Sequence, residues 1–391
     1  MTANSPSPPS AIVYRPEYKS YDFGPQHPLR PERLGAGLSL LEALGLWNPA
    51  AETIDADAAT TEELALIHDD AYIRAVKEAG TGWFPGSELR RYGLGIPDNP
   101  AFPGMHEAAA LVAGGTADAV RRIMRGQLLH AFAPAGGLHH AFPARAAGFC
   151  IYNDPALAAA IATREFGARV LYVDFDCHHG DGVQEIFYRD PSVLTVSFHE
   201  SGEFLFPGTG SVVERGAEAG RGYAVNVPVM PYTDDRSWHD TIHAVLPPVA
   251  ERFQPDLIIS AHGADTHIWD PLTHLALTTA SFAAQAQLVH DLARTHTNNR
   301  WLAVGSGGYD WRRVVPRSWA ILWAEMTGRP LPADLPPTWC TEWDTEPLEP
   351  LPRTIHDGPD IAGALPARAE SAEANRTIVA EVRRLHALDR G

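Results

Sequence analysis

The chain alternates between short apolar runs, each closed by Gly, His or Asp, and longer segments of helical character. Five runs have the length and β-branched content of buried strands, at residues 129–134, 170–173, 193–198, 257–260 and 301–304. Helix-like segments lie between several of them, at residues 107–124, 155–166, 238–253 and 278–295. Strands that alternate with helices predict one α/β domain with a central, mostly parallel β-sheet flanked by helices.

Polar motifs follow the ends of these runs. Gly-Gly-Leu-His-His ends at His140, Asp-Phe-Asp-Cys-His-His-Gly-Asp-Gly begins at Asp174, His-Gly-Ala-Asp ends at Asp265, and Gly-Ser-Gly-Gly-Tyr ends at Tyr309. In parallel sheets, ligands bind beyond the carboxyl ends of the strands. The repeated placement predicts one functional site along this edge of the sheet.

The densest motif has the residues of a metal site. Asp176 and His178 are two positions apart directly after a strand, so an extended chain puts both side chains on one face. Asp265 is the natural third ligand, and three protein ligands leave a position open for water and substrate, as in catalytic zinc sites. Imidazole with carboxylates suits Zn²⁺ or Fe²⁺ better than Ca²⁺ or Mg²⁺. The alternative is a set of strand-end caps and salt bridges, but so many clustered ionisable groups are costly without an ion.

His139 and His140 are candidate proton carriers. Metal-assisted hydrolysis needs a base for the water and an acid for the leaving amine. Two histidines can divide these roles if carboxylates paired to their far ring nitrogens set different protonation states. Asp174 and Asp181 are the spare carboxylates beside the proposed ligands. Tyr309 follows a Gly-rich turn, where its phenol could donate a hydrogen bond to an oxyanion; packing under the turn is the alternative.

Charge and cysteine content limit the partners. The 391 residues carry a formal net charge of −17, which repels nucleic acid and anionic membranes and attracts a basic, lysine-bearing partner. No apolar run is long enough to cross a bilayer. The three cysteines are widely spaced, which favours reduced thiols over a disulfide framework. We expect a soluble, cytoplasmic protein that binds neither nucleic acid nor membranes.

The two ends of the chain differ from the centre. Residues 1–10 include a Pro-rich stretch and predict a disordered leader, and residues 11–329 form the main domain. Residues 330–391 contain a Pro-rich segment and then an amphipathic helix at 367–388, with Ile378, Val382, Leu385 and Leu388 on one side. We expect this helix to dock on the domain; a contact in an oligomer is the alternative.

The motifs together resemble a known family: the arginase–deacetylase superfamily, specifically class I-like histone deacetylases and their bacterial acetoin-utilisation relatives. The resemblance covers about residues 12–325 and implies the arginase/deacetylase-like three-layer fold. The matching strings occur in the family's order, at residues 21–28, 137–140, 148–154, 173–182, 206–210, 263–266 and 307–309.

The resemblance implies a role for each site residue. Zn²⁺, with Fe²⁺ as the alternative, would be held by Asp176, His178 and Asp265. His140, paired with Asp181, would be the general base and acid, and His139, paired with Asp174, its electrostatic partner. Tyr309 would polarise the scissile carbonyl.

Substrate and ion sites are implied in the same way. Phe149 and Phe206 would wall a narrow tunnel for the lysine methylenes, the Gly148 carbonyl would receive the amide N–H, and Asp98 and Leu272 would lie at the rim. Leu205 stands where the family has an aromatic residue, so the mouth would be wider, and Arg33 would line an inner cavity for acetate. Structural K⁺ or Na⁺ would bind at two sites, one formed by Asp174, Asp176, His178, Ser197 and Phe198, the other by Phe187, Asp190, Val193 and Tyr223.

The expected reaction is hydrolysis of Nε-acetyl-lysine in proteins to lysine and acetate by metal-activated water. A first alternative is hydrolysis of acetylated polyamines or other small acetylated amines. A second is an arginase-type ureohydrolase, which would need further carboxylates around two Mn²⁺ ions. A third is an acyl-lysine binding module without activity.

Overall fold

The computed structural model describes residues 9–81, 86–358, 361 and 368–388. Within them one sheet contains eight strands: β1 (Ser10–Val13), β2 (Thr53–Ile54), β3 (His130–Ala133), β4 (Val170–Asp174), β5 (Val193–Glu200), β6 (Ala224–Val229), β7 (Leu257–Ala261) and β8 (Trp301–Val304). Their order is β2-β1-β3-β8-β7-β4-β5-β6, and all neighbouring pairs are parallel. The predicted α/β fold with a parallel central sheet is confirmed.

The α-helices of the described residues connect and cover the strands. They are α1 (Glu32–Ala43), α2 (Thr61–Leu64), α3 (Asp70–Ala79), α4 (Gly86–Arg90), α5 (Met105–Met124), α6 (Asp154–Phe166), α7 (Asp181–Phe187), α8 (Asp235–Phe253), α9 (Thr279–His296), α10 (Val315–Thr327), α11 (Pro337–Trp343) and α12 (Arg368–Leu385). Short 3₁₀ helices span Pro16–Ser20, Glu218–Gly220 and Ala264–Thr266. The four predicted helical segments correspond to α5, α6, α8 and α9.

The core lies on both faces of the sheet. Every residue of β4, β7 and β8 is buried, because helices cover both faces, and this is why these strands read as continuous apolar runs rather than alternating ones. Strands β1, β2 and β6 were not predicted from the pattern of apolar runs. β2 has only two residues, and β6 carries Asn226 and Pro228 within its span, so neither gives a clear apolar run.

The last residue of the predicted leader, residues 1–10, belongs to the sheet. Ser10 is the first residue of β1 and pairs with His130 of β3, and the Pro9 carbonyl accepts from the Leu129 N–H at 2.9 Å. Residues 1–8 lie outside the described part of the chain.

The C-terminal segment packs on the domain. Trp339 of α11 is buried and its indole N–H donates to the Ala36 carbonyl of α1 at 3.0 Å. On α12, Val382 is buried, and the Asn375 amide bonds the Met230 N–H and the Thr233 hydroxyl. The predicted helix therefore contacts β6 and α8, as expected of a docked helix.

Two further properties of the described residues bear on the setting of the protein. None of their helices combines the length and the apolar character that a membrane span requires. Cys150, Cys177 and Cys340 are buried, free thiols.

Candidate metal centre and active site

Four adjacent strands, β3, β8, β7 and β4, bring the polar motifs to one edge of the sheet. β4 and β7 are in register with Asp174 opposite Ala261, so the residues that follow the two strands meet directly. Six predicted site residues meet there, all buried except Tyr309, which is partly buried; they are His139 and His140 after β3, Asp176 and His178 after β4, Asp265 after β7, and Tyr309 after β8.

Asp176, His178 and Asp265 form a compact group of metal-type donors. Their ligand atoms all lie within 4.8 Å of one another, and all three residues are buried. His178 Nδ1 is 2.9 Å from an Asp265 oxygen and 3.1 Å from an Asp176 oxygen. Two carboxylates and one imidazole nitrogen therefore converge on a single point.

Backbone N–H groups fix both carboxylates. The Gly307 N–H donates to Asp176 at 2.6 Å, and the Cys177 N–H donates to Asp265 at 2.9 Å. Burial and the neighbouring Asp176 raise the pKa of Asp265 to about 7. Two carboxylates that share a site from which water is excluded repel each other, and this repulsion disfavours the charged form. A divalent cation would relieve it, and the nitrogen and oxygen donors fit Zn²⁺ or Fe²⁺.

His139 and His140 lie close together, with ring centroids 4.0 Å apart and ring planes tilted by 53°, and each has its own carboxylate. His139 Nδ1 is 2.8 Å from Asp174, and His140 Nδ1 is 2.7 Å from Asp181. Despite burial, which acts to lower it, the pKa of His139 is raised to about 9 by Asp174 and Asp176. Burial, aided by the charge on His139, lowers the pKa of His140 to about 4. The two rings therefore differ in protonation at neutral pH, as the division of roles requires.

A buried polar layer holds the histidine loop in place. Asp154 accepts from the backbone N–H groups of Gly137 and Leu138 at 3.0 and 2.8 Å. The Asn153 amide donates to the carbonyls of His139 and Ala141 at 3.1 and 2.9 Å. Asn153 also caps α6 by accepting from the Ala156 N–H, so the start of that helix and the histidine loop are one hydrogen-bonded unit.

Tyr309 lies next to one of the metal-type residues and to an aromatic side chain of the approach. Its ring lies 6.4 Å from that of His178 and 5.8 Å from that of Phe149. Burial, Asp265 and Asp176 raise the pKa of Tyr309 well above its ordinary value, so the phenol keeps its proton. Asp270 accepts from the Tyr309 N–H at 2.8 Å and thereby fixes the backbone that carries the ring.

Aromatic side chains line the approach to this group. The Phe206 ring lies 5.1 Å from His140 and is 48% exposed, so it extends from the site to solvent. Gly148 packs against both rings, with φ of 51°, and a Cβ there would come within 2.3 Å of His140 and 3.0 Å of Phe206; only glycine allows the backbone this close approach. Asp98 accepts from the Gly148 N–H at 2.9 Å, which puts its carboxylate beside the passage.

The remaining predicted residues lie near the same edge. The Leu272 N–H donates to Asp270, the carboxylate that also binds Tyr309. Leu205 is partly buried next to Phe206. Arg33 is buried, donates to the Ser306 carbonyl at 2.7 Å, and lines a cavity of about 20 Å³ with Leu138.

Sequence reasoning assigned no role to Asn153, Asp154 or Asp270. An Asn followed by Asp-Pro at the start of a helical segment is an N-cap pattern, and this pattern could have identified Asn153. The hydrogen bonds that Asp154 and Asp270 accept come from residues 16 and 39 positions away, and no local pattern predicts them.

Comparisons with known proteins agree with this geometry. Residues 27–326 match the family described as "Histone deacetylase domain". The chain is 44% identical over 372 residues to the acetoin utilization protein AcuC of Bacillus subtilis (strain 168), covering 95% of this chain and 96% of that protein. It is 40% identical over 367 residues to AcuC of Staphylococcus xylosus, covering 94% and 95%.

Solved structures are similar over nearly the whole chain. A crystal structure of an HDAC homolog complexed with SAHA has a TM-score of 0.83 at 29% identity and covers 94% of this chain and 100% of its own. An HDAC homolog from Aquifex aeolicus has a TM-score of 0.81 at 28% identity, with the same coverage. The chain therefore belongs to the histone deacetylase family of hydrolases.

Proposed function

We propose that this deacetylase hydrolyses Nε-acetyl-lysine in proteins to lysine and acetate, with a zinc ion held by Asp176, His178 and Asp265. The observation that carries the proposal is the convergence of three groups next to the rings of Phe149 and Phe206: the metal-type triad, a neutral His140 and a protonated Tyr309. When bound, a divalent metal supplies a Lewis acid that polarises the carbonyl and makes water more acidic.

His140 is the proton carrier in this mechanism. Its low pKa leaves the ring neutral at pH 7, so it can take a proton from the attacking water and return it to the leaving amine. Asp181, 2.7 Å from His140 Nδ1, holds the ring and compensates the charge formed when it is protonated. His139 stays protonated beside Asp174 and contributes a fixed positive charge next to the reacting atoms.

Tyr309 stabilises the oxyanion that forms as the carbonyl carbon becomes tetrahedral. Its phenol stays protonated and therefore donates, and Asp270 and the Phe149 ring hold it in place. A hydrogen-bond donor already oriented toward developing charge is among the largest contributions to catalysis.

The passage suits a long, unbranched, largely apolar side chain with an amide at its end. The Phe206 ring beside His140 is proposed to contact the methylenes of lysine, and the Gly148 carbonyl, which accepts from the Cys150 thiol at 3.1 Å, has a second lone pair for the amide N–H. Asp98 and Leu272 near the outer end are proposed to contact the substrate backbone. The large negative net charge favours the approach of lysine-rich segments.

Monovalent cations remain a prediction. Asp174 and Ser197 are register partners on β4 and β5, which supports the first K⁺ or Na⁺ site, since residues from both strands would contribute oxygens. Exit of acetate past Arg33 also remains a prediction; the cavity of about 20 Å³ there holds about one water, so acetate would need side-chain movement.

The test is turnover of an acetyl-lysine peptide by protein loaded with one equivalent of Zn²⁺, in parallel with acetylated polyamines. We expect peptide hydrolysis that is lost with a chelator and in His140→Ala, and retained in His239→Ala, which removes an exposed histidine outside the site. Turnover of polyamines alone would keep the chemistry and overturn the substrate. Silence on both substrates would overturn the proposal in favour of a binding module.

A further inference from the structure

A buried carboxylate from the C-terminal segment lies beneath the loop that carries Asp265. Asp357 follows the matched family region, which ends at residue 326, and its side chain is 2% exposed. One oxygen accepts from His267 Nε2 and from the Thr279 N–H, both at 2.9 Å. The other accepts from Arg317 Nη1 at 2.6 Å.

The hydrogen bonds of His267 fix its tautomer. The Trp269 N–H donates to His267 Nδ1 at 3.1 Å, so Nδ1 is an acceptor and carries no proton. Nε2 therefore carries the proton and donates it to Asp357. Because both ring nitrogens are engaged, His267 can occupy only one orientation, and Asp357 determines it.

The loop fixed in this way carries two residues of the site. Asp265 lies two positions before His267, and Asp270 lies three positions after it and holds the Tyr309 backbone. Arg317, the other partner of Asp357, lies on α10, which follows Tyr309 in the chain. Asp357 thus links the loop that follows the metal-type residue Asp265 with the helix that follows Tyr309.

The arrangement is too buried to be an incidental surface pair. Arg317 and His267 are both 0% exposed, and in the described part of the chain Asp357 forms an ion pair with Arg317 and accepts a hydrogen bond from His267. A buried charge without its partner is strongly unfavourable. Replacing the carboxylate by an amide would also put an NH₂ group among three hydrogen-bond donors.

We propose that Asp357 is a positioning residue for the metal centre, and that the C-terminal segment is an integral part of the active-site scaffold. The proposal rests on the proposed role of Asp265 as a metal ligand. Asp357 orients His267, His267 holds the 265–270 loop, and the loop sets the direction of the Asp265 carboxylate. Mutation of residues that orient a metal ligand through hydrogen bonds typically lowers metal affinity 10–100-fold.

The test is a titration of the metal-free protein with Co²⁺, followed by visible absorption, in wild type, Asp357→Asn and the exposed control Glu346→Gln. We expect one equivalent bound by wild type and control, and at least a tenfold weaker Co²⁺ affinity in Asp357→Asn. A variant with a lower Tm but unchanged Co²⁺ affinity and spectrum would show a merely structural role and overturn the proposal.

Two variants of His267 keep the test decisive if Asp357→Asn fails to fold. His267→Ala removes the link but leaves the Asp357–Arg317 pair, and we expect the same loss of affinity; His267→Gln retains a donor near Nε2 and should recover most of it. Equal Co²⁺ affinity of wild type, His267→Ala and His267→Gln would refute the proposal.

The result also separates this inference from the proposed reaction. Wild type that binds Co²⁺ but turns over no acetylated substrate would refute the reaction and leave the Asp357 comparison valid. Wild type that binds no Co²⁺ would refute the metal centre and this inference with it.

Discussion

Replacing Tyr309 with Phe isolates one hydroxyl group. The ring contacts with Phe149 and His178 at 5.8 and 6.4 Å are retained, and the Asp270 bond to the backbone is untouched. In the described part of the chain the hydroxyl makes no hydrogen bond to the protein, so its removal leaves no buried partner unsatisfied. The expected change in the free energy of unfolding is therefore below about 1 kcal/mol.

The catalytic effect should be much larger than the effect on stability. Loss of one donor to an oxyanion costs about 3 kcal/mol of transition-state stabilisation, which corresponds to a decrease in kcat of roughly 100- to 200-fold. Because the hydroxyl acts on charge that develops after binding, KM should change little.

The assay measures kcat and KM on the acetyl-lysine peptide with metal at saturation, together with thermal unfolding. Tyr232→Phe, at a residue that is 42% exposed and outside the site, is the matched control and should behave as wild type. A Tyr309→Phe enzyme within threefold of wild-type kcat, or one with a raised KM and unchanged kcat, would refute the proposed role of the hydroxyl.

Three further outcomes follow from the same geometry. Dialysis against a chelator should abolish turnover and one equivalent of Zn²⁺ should restore it; activity that survives dialysis would contradict the metal centre. Asp270→Asn should lower kcat about tenfold with KM nearly unchanged, since the Tyr309 and Leu272 N–H groups donate to different oxygens of Asp270 and the amide would put an NH₂ donor opposite one of them; unchanged kcat would exclude this positioning role. Burial lowers the pKa of His68 from 6.5 to about 4. The contribution of the neutral ring to the free energy of unfolding is therefore complete above pH 6.5, and about 3 kcal/mol is lost as the pH falls toward 4. Denaturant unfolding at pH 4–7 should show a steeper loss in wild type than in His68→Gln, and parallel curves would refute the assignment.

The strands that carry the site could be predicted because they are buried on both faces. β4, β7 and β8 read as unbroken apolar runs, and each ends at a polar motif, so strand positions and site residues came from the same pattern. β2 and β6, at the two edges of the sheet, lack such a run, since an edge strand has one neighbour and tolerates Pro228 or a length of two residues.

The residues behind the site could not be predicted in the same way. Asp357 reaches His267 across 90 positions and Arg317 across 40, and it lies between the Pro-rich segment and the predicted C-terminal helix, where no periodic pattern is present. A single acidic residue in such a segment is usually solvent-exposed. Its burial follows from the packing of the segment against α9 and α10, and packing between segments so distant leaves no periodic trace.

The histidine pair shows why neighbouring, identical residues can take different roles. His139 and His140 are indistinguishable in sequence, and each has one carboxylate on Nδ1. His139, however, has a second carboxylate, Asp176, 3.9 Å from its other nitrogen, whereas the charges that lower the pKa of His140 include His139 and His178. The charge on His139 thus depends on two acids, and the neutrality of His140 depends first on its burial and then on the charge of His139. The assignment of His140 as the proton carrier is therefore a consequence of which groups the strand ends bring together, not of the His-His motif itself.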